Sequence, residues 1–287
     1  MSPKTVRDFF DNIRLWLVRM LAPGRYQKTA ILHTTSRYDM FSESAEHFFA
    51  ELYLHFIRQD ISRVYGTKKG KILDAGCGQG RLSIPLARDG HQVTGIDISP
   101  DAVKTAIQHA SEEAVSLDFR VRDMVSEPEE YQDNSFDCVI CTEMIYMVED
   151  PEAVLRTFAR LVKPGGLVIV SFRPKMYYLW HAVRNRLWMD LDIISRTRGG
   201  RIHGIWLNWF TQDEVAELLV HVGISSVRMC SIGKFSGIDG DPQEFFCNPA
   251  QLDDRSRSIL MDLEIHHAQE NVEDGRYLYC SGIVIKK

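Results

Sequence analysis

The stretch that decides the fold is Leu-Asp-Ala-Gly-Cys-Gly-Gln-Gly at residues 73–80, which places three glycines at alternate positions. It follows directly on a short apolar strand predicted at residues 71–73. Because glycine has no Cβ and tolerates positive φ, the chain can turn tightly here and let a ligand lie against its backbone. The helix expected next offers unpaired N–H groups and the positive end of its dipole. The stretch therefore favours an adenine nucleoside cofactor whose tail carries a carboxylate.

Three further features accompany the glycines. Asp74 stands just before them, where a carboxylate can meet a cationic amine of the ligand. Asp97 ends the next predicted strand and can accept both hydroxyls of a ribose. Lys-Pro-Gly-Gly at residues 163–166 predicts a turn before an apolar strand at 167–170. This set, in this order, resembles the class I S-adenosylmethionine-dependent methyltransferases over roughly residues 70–232 and again at the last strand.

The resemblance implies an α/β fold: a Rossmann-like seven-stranded, mostly parallel sheet with an antiparallel last strand between the fifth and sixth, N-terminal helices and a helical lid insertion. Independently, the alternation of strands and helices predicts parallel pairing with right-handed crossovers. We predict strands at 91–97, 119–123, 136–142 and 277–285, and helices at 5–21, 42–64, 101–110 and 251–267, with others beginning at 150–151 and 211–214. The parts of the chain are a helical cap (1–65), the cofactor-binding half (66–172), a substrate lid (173–210) and a C-terminal part (211–287).

Ligands of doubly wound sheets bind outside the carboxyl ends of the strands, at the switch point of the strand order. By resemblance, Asp97 binds the ribose, Ile98 packs on the adenine, Asp123 accepts from the adenine amino group, and Met124 supplies a backbone donor. The rest of the implied cofactor set is Ala75, Gly76, Gly78, Gly80, Thr142 and, in a segment that folds over the cofactor, Tyr38.

Other interpretations of the same residues stay open. Taken singly, each aspartate is more often a helix cap or a turn residue, and Tyr38 is explained equally well as a cover for the rim of the core. The alternative fold is that of an NAD-dependent dehydrogenase, but Arg81 stands where its third glycine belongs.

Candidate catalytic residues follow from the chemistry. A hydroxyl acceptor needs a base, whereas an amine needs only to arrive neutral. We take His203 as the first candidate for the base and His181 as the second, although a structural role is the commoner one for either histidine. Glu143 and Tyr146 follow the fourth strand, where either could meet the acceptor; Glu143 either orients the acceptor or bonds locally.

The segment after the fourth strand resembles the ubiquinone-biosynthesis O-methyltransferases, a small-molecule branch. These carry a glutamate at the Glu143 position, followed in some members by a Glu-His pair that can bind a divalent metal. Tyr146 and Met147 replace that pair here, so we predict no metal. The Asn/Asp-Pro-Pro-aromatic motif of nucleic-acid and glutamine methyltransferases does not occur at this point, which disfavours those substrates.

The predicted lid is rich in rings and cations. Only Asp190 and Asp192 oppose its cations within the segment, and residues 196–201 predict a mobile basic loop. One interpretation is a solvated helical cap with an aromatic core; the other is a pocket for an anionic or aromatic acceptor, held by arginine forks and ring stacking. The cations are Arg173, Lys175, Arg184, Arg186, Arg196, Arg198 and Arg201.

The composition, 45% hydrophobic with a net charge of −5, is that of a globular protein and argues against nucleic-acid binding. No apolar run reaches the about 20 residues of a membrane span, and no secretory signal opens the chain, so we expect a cytoplasmic protein.

Cys138 and Cys141 lie three apart on a strand and should point to opposite faces as reduced thiols. The helix at 5–21 has one apolar face for the core or for a second copy of the chain, while its arginines leave peripheral membrane contact as an alternative.

The sequence thus predicts an enzyme that moves the methyl group of S-adenosylmethionine to an oxygen of a small acceptor and leaves S-adenosylhomocysteine. The preference for oxygen rests on the two candidate bases. The alternatives are N-methylation of a small amine, methylation of a protein or RNA docked on the basic lid, and a non-catalytic partner protein that binds S-adenosylmethionine.

Overall fold

The computed structural model describes residues 44–124, 131–202 and 204–285. Tyr38, His203 and the helix predicted at 5–21 lie outside the described residues, so the roles assigned to them stay predictions.

The central sheet has seven strands, and a separate hairpin has two. The sheet is built from β1 (Lys71–Ala75), β2 (Gln92–Asp97), β3 (Asp118–Val121), β4 (Phe136–Cys141), β5 (Val162–Phe172), β8 (Ile224–Ile232) and β9 (Tyr277–Val284), and the hairpin from β6 (Gly199–Ile202) and β7 (Ile205–Asn208). The order in the sheet is β3-β2-β1-β4-β5-β9-β8. Strands β1 to β5 pair in parallel, whereas β9 runs antiparallel to both β5 and β8. The predicted Rossmann-like sheet with an antiparallel last strand is confirmed.

Eight α-helices occur among the described residues: α1 (Ser44–Tyr65), α2 (Ser83–Arg88), α3 (Pro100–Glu112), α4 (Pro151–Leu161), α5 (Lys175–Arg184), α6 (Trp188–Arg196), α7 (Gln212–His221) and α8 (Asp254–His266). Three of them begin at caps visible in the sequence. Ser99 and Asp150 accept from backbone N–H groups of the first turns of α3 and α4, and Thr211 forms a capping box with Glu214 at α7. Caps of this kind satisfy N–H groups that the helix itself leaves unpaired.

Hydrophobic cores lie on both faces of the sheet, because side chains of a strand alternate between its faces. One core contains Val139 of β4 and residues of α4 and α7, and the other contains Ile140 of β4 and residues of α1 and α2. Cys138 and Cys141 are buried in different cores, and burial raises the pKa of both thiols. The prediction of separate, reduced thiols is therefore confirmed.

Two local predictions are wrong. The Lys-Pro-Gly-Gly stretch is not a turn ahead of β5 but a bulge within it: Phe136 pairs with Val162, whereas Cys138 pairs with Leu167. Residues 196–201 do not form a free loop, because Arg196 ends α6 and residues 199–202 pair as β6 with β7. Pairing with β7 orders residues that were predicted to form a loop. The sequence has no strong turn signal here, so the hairpin could not be predicted from it.

The connection between β8 and β9 is long and carries α8, so these two neighbouring strands are not joined by a tight hairpin. None of the helices in the described ranges is long and apolar enough to cross a membrane.

Candidate functional site

The ends of β1 and β2 form the centre of the site. Ala75, the last residue of β1, lies opposite Ile96. The next two N–H groups, those of Gly76 and Cys77, both donate to the carbonyl oxygen of Ile96, at 2.8 and 2.9 Å. The glycine loop therefore turns across the carboxyl end of β2.

Asp97 holds the glycine loop to the loop that follows β2. Its Oδ2 accepts from the N–H of Gly78 at 2.9 Å, and its Oδ1 accepts from the N–H of Ser99 at 2.8 Å. The residue is 7% exposed, and burial raises the pKa of its carboxyl against the effect of these N–H donors. The carboxylate predicted to bind a ribose thus stands directly beside the glycines.

Two glycines of the loop differ in what surrounds them. Gly80 has φ +89°, and a Cβ there would lie 2.9 Å from Ile84 Cδ1 and 3.1 Å from the ring of Phe119. Gly78 has φ +53°, and a Cβ there would meet nothing within 4 Å. The backbone at Gly80 is needed for packing, whereas the backbone at Gly78 is open to an approaching group.

The third and fourth strand ends lie at the same edge. The N–H of Arg122 donates to the carbonyl oxygen of Asp97 at 2.9 Å, which brings Asp123 and the buried Met124 beside β2. Thr142, 8% exposed, directly follows β4, the strand that pairs with β1. The structure therefore brings together, at one edge, the predicted cofactor residues that it describes: Asp74, Ala75, Gly76, Gly78, Gly80, Asp97, Ile98, Asp123, Met124 and Thr142.

Residues 67–200 match the family model described as a methyltransferase domain. This part of the chain is therefore similar to the class I S-adenosylmethionine-dependent methyltransferases. Over 101 residues the chain is 48% identical to a ubiquinone biosynthesis O-methyltransferase of Xanthomonas oryzae pv. oryzae (strain PXO99A) and 46% identical to one of Xanthomonas campestris pv. campestris (strain B100). Each alignment covers 35% of this chain and 42% of the relative, so the chain spans less than half the length of these curated relatives.

Solved structures share the fold of the methyltransferase domain at low identity. An S-adenosylmethionine-dependent methyltransferase of Methanosarcina mazei is 20% identical, with a TM-score of 0.51 over 76% of this chain and 94% of that one. Magnesium protoporphyrin IX methyltransferase of Synechocystis PCC 6803 with bound S-adenosylhomocysteine is 18% identical, with a TM-score of 0.53 over 93% and 99%. The cyclase SpnF is 20% identical, with a TM-score of 0.53 over 82% and 81%. These likenesses concern the fold alone, and a fold does not fix the reaction.

Asp74 of the methyltransferase domain lies deeper than its neighbours. It is 2% exposed, and the Ser83 hydroxyl at the start of α2 donates to its Oδ2 at 2.5 Å. Burial raises the pKa of Asp74 to about 6, against the hydrogen bond of Ser83 and the charge of Arg81. Its predicted contact with a ligand amine stays a prediction. Ser83 was not singled out in the sequence, where only its place in the first turn after the glycines marks it.

Arg81 is the main residue whose role the sequence did not identify, since it was noted there only for standing in place of a third glycine. Its guanidinium lies 2.8 Å from Glu46 Oε2 and 2.7 Å from Glu143 Oε1. Glu143 has φ +58°, and its N–H donates to the Ser171 hydroxyl at 2.8 Å. Of the two roles considered for Glu143, the local one is therefore present in the structure, as an ion pair with Arg81.

The two other described catalytic candidates lie around Arg173. Tyr146 is half-buried, with its ring centroid 5.1 Å from the Arg173 Cζ. His181 on α5 is half-buried and stacked on Tyr177, and desolvation lowers the pKa of its imidazole. A histidine with a lowered pKa is neutral at pH 7 and can accept a proton.

The charge pattern expected for the lid is corrected by the structure. Arg184 pairs with Glu244, Arg198 with Glu214, and Arg201 with Glu149, all of which are carboxylates outside residues 173–210. Inside the lid, Arg196 pairs with Asp192, and Lys175 donates to a backbone carbonyl. The segment predicted to be a lid is therefore less of a free basic surface than its own sequence indicates. Across the described ranges, no group of three or more His, Cys, Asp or Glu side chains is placed to hold a metal ion.

Proposed function

We propose that this chain transfers the methyl group of S-adenosylmethionine to an oxygen of a small acceptor that is anionic or aromatic. The observation that carries the proposal is the position of Asp97, whose carboxylate touches Gly78 at the switch point of a methyltransferase domain. In this proposal Asp97 binds the ribose and the open backbone at Gly78 lies against the cofactor.

The other cofactor contacts extend along the same edge. Ile98 packs on the adenine, Asp123 and the backbone of Met124 bind its polar edge, and the Asp74 carboxylate meets the amine of the methionine end. Tyr38 closes over that end. The protein's contribution is to hold an already activated methyl group about 3 Å from the acceptor oxygen and to keep water away.

The chemical step is an in-line displacement. A bond forms between the acceptor oxygen and the methyl carbon, the bond between that carbon and sulfur breaks, and its electron pair stays on the sulfur as S-adenosylhomocysteine. The proton of the acceptor hydroxyl passes to a base. His203 and His181 are the proposed bases, and the lowered pKa of His181 suits it to that role.

Binding of S-adenosylhomocysteine, measured by calorimetry, tests the cofactor part of the proposal. We expect Asp97→Ala to weaken binding at least tenfold, because the ribose hydroxyls lose their acceptor. Asp118→Ala is the matched control, since Asp118 is exposed on β3 and pairs with Arg120. Equal binding by wild type and Asp97→Ala would contradict the assignment.

N-methylation of a cationic amine is the second candidate, because rings that could surround an ammonium group are present. Those rings already enclose a cation: Arg173 Cζ lies 4.0 Å from the ring centroid of Tyr177 and 3.8 Å from that of Tyr277. A ligand cation would have to displace this guanidinium. The occupied ring cluster therefore favours a neutral or anionic acceptor.

A further inference from the structure

Arg173 lies at the carboxyl end of β5, on the acceptor side of the proposed cofactor site. The antiparallel pairing of Phe172 with Leu278 brings it beside the residues that enter β9. Its Nη1 donates to the carbonyl oxygen of Arg276 at 3.0 Å, and its Nη2 donates to the hydroxyl of Tyr277 at 2.7 Å. The guanidinium is therefore fixed in place.

Aromatic rings surround the same guanidinium. Tyr177 and Tyr277 lie about as close as stacked groups can, and Tyr146 approaches to 5.1 Å from its Cζ. We call Arg173 and these three tyrosines the Arg173 cluster. Arg173 is only 7% exposed, while Tyr146 is half-buried.

The cluster differs from the other buried arginines in having no carboxylate. Arg81 pairs with Glu46 and Glu143, and Arg276 pairs with Asp241. Among the described residues, Arg173 makes no ion pair, and its buried Nε has no hydrogen-bond partner. The charge of Arg173 helps to lower the pKa of Asp241 and of Glu143 against their burial, but neither carboxylate makes an ion pair with it. A buried cation without a directly paired carboxylate is costly, and cation–π contacts offset that cost only in part.

The tyrosines do not supply the missing charge. Burial raises the pKa of Tyr177 to about 12 and that of Tyr277 well above its usual value, so both phenols are protonated at pH 7. Burial likewise raises the pKa of Glu46, against the charge of Arg81. An anion is therefore the group that would complete this region.

We propose that Arg173 recognises a carboxylate of the acceptor, which makes Arg173 a residue that determines the substrate class. The Nε on the edge of its guanidinium, buried and without a hydrogen-bond partner, is the donor left for a ligand. A planar carboxylate accepts from such an edge in the same plane, whereas the tetrahedral oxygens of a phosphate fit less well between flanking rings. This inference rests on the proposed function, since it concerns the acceptor of that reaction.

The test uses the whole protein saturated with S-adenosylhomocysteine. Benzoate and phenylacetate are titrated calorimetrically, each against its carboxamide, which has nearly the same shape without the charge. Wild type should bind the acids at least tenfold more tightly than the amides. Arg173→Gln should abolish the preference, and Arg173→Lys should retain part of it, because a lysine keeps the charge but not the planar fork.

Arg156→Gln is the matched control, because Arg156 is an exposed arginine on α4 that pairs with Glu152. Three results would each overturn the inference. Wild type could bind the acids and the amides equally well, wild type could bind no acid, or Arg173→Gln could keep the preference for the acids. If Arg173→Gln no longer binds S-adenosylhomocysteine, Arg173→Lys becomes the test variant. An Arg173→Lys protein that prefers the acids over the amides as strongly as wild type does would overturn the inference. Failure of wild type to bind S-adenosylhomocysteine would instead overturn the proposed function itself.

Discussion

Nη2 of Arg81 lies 2.7 Å from Oε1 of Glu143, and this ion pair joins the glycine loop after β1 to the turn after β4. The same guanidinium reaches Glu46 at the start of α1. Although burial alone would raise it, Arg81 holds the pKa of Glu143 below its ordinary value. One buried arginine therefore links the proposed cofactor loop, the proposed acceptor end and the first described helix.

Removing this link should destabilise the protein strongly. Arg81→Gln leaves two buried carboxyl groups without their cation, and we expect the free energy of unfolding to fall by about 3–5 kcal/mol. Urea denaturation measures the loss. Arg88→Gln is the control, because Arg88 is an exposed arginine in the last turn of α2, and it should cost less than about 1 kcal/mol.

The double variant Arg81→Gln with Glu143→Gln shows whether the loss comes from the pair. Because the second substitution removes one of the stranded charges, the two losses should fall short of additivity by about 1–3 kcal/mol. Strictly additive losses would mean that the ion pair does not couple the two loops.

The open backbone at Gly78 gives a second prediction, with a matched control elsewhere in the chain. Gly66 resembles it, with φ +61° and nothing within 4 Å of the position that a Cβ would take, but it lies just after α1, away from the strand ends. Alanine at either position should cost about 1–2 kcal/mol of stability, because an L-residue is strained at positive φ.

Only Gly78→Ala should weaken the binding of S-adenosylhomocysteine, by at least tenfold in calorimetry. The reason is that its methyl group would occupy the surface on which the cofactor is proposed to lie. An equal effect of Gly66→Ala on binding would attribute the loss to general destabilisation.

The sequence predicted the strand ends well because their signals are local. An apolar run followed by Asp74 and the glycines, or ended by Asp97, identifies a strand and its turn within a few residues. Pairing of the parallel strands then places these turns at one edge without further information. The place of these residues at one edge of the sheet could therefore be predicted from the order of the amino acids alone, and their contacts with a cofactor stay predictions.

The ion pairs could not be predicted, because their partners are distant in the chain. Glu46, Arg81 and Glu143 come from three different elements, and Arg201 of the lid finds Glu149 before α4. Counting charges within residues 173–210 could not reveal such partners. The Arg173 cluster was hidden for the same reason, since Tyr277 joins it only through the pairing of β5 with β9.

His181 provides a test of the proposed base. Desolvation lowers the pKa of its imidazole, so it should be neutral and able to accept a proton at pH 7. For a hydroxyl acceptor identified by turnover, His181→Gln should lower kcat about 100-fold, the lower end of what a general base contributes, with S-adenosylhomocysteine affinity unchanged. His221→Gln, at the exposed end of α7, is the control. An unchanged kcat in His181→Gln would leave His203 as the proposed base.

Asp74 is a buried carboxyl group whose charge should cost stability. Burial raises its folded-state pKa to about 6, above the 3.8 of an ordinary aspartate, so protonation favours the folded state. That contribution is fully present below pH 3.8 and is lost as the pH rises to about 6. At pH 7 the ionised group should therefore cost about 3 kcal/mol, from a shift of about two pH units.

Asp74→Asn should remove that cost and keep the hydrogen bond, because the amide oxygen can accept from Ser83. Urea denaturation should show the variant to be more stable than wild type by about 3 kcal/mol at pH 7, but by only about 1 kcal/mol at pH 4.5. Asp118→Asn, at an exposed aspartate of β3, is the matched control for the substitution. A gain of equal size at both pH values would mean that the added stability does not arise from the loss of the charge.

The Asp74→Asn substitution should also weaken the binding of S-adenosylhomocysteine at pH 7, because the ligand amine loses its carboxylate. A costly charge retained at a strand end is the pattern expected when binding rather than stability determines the residue.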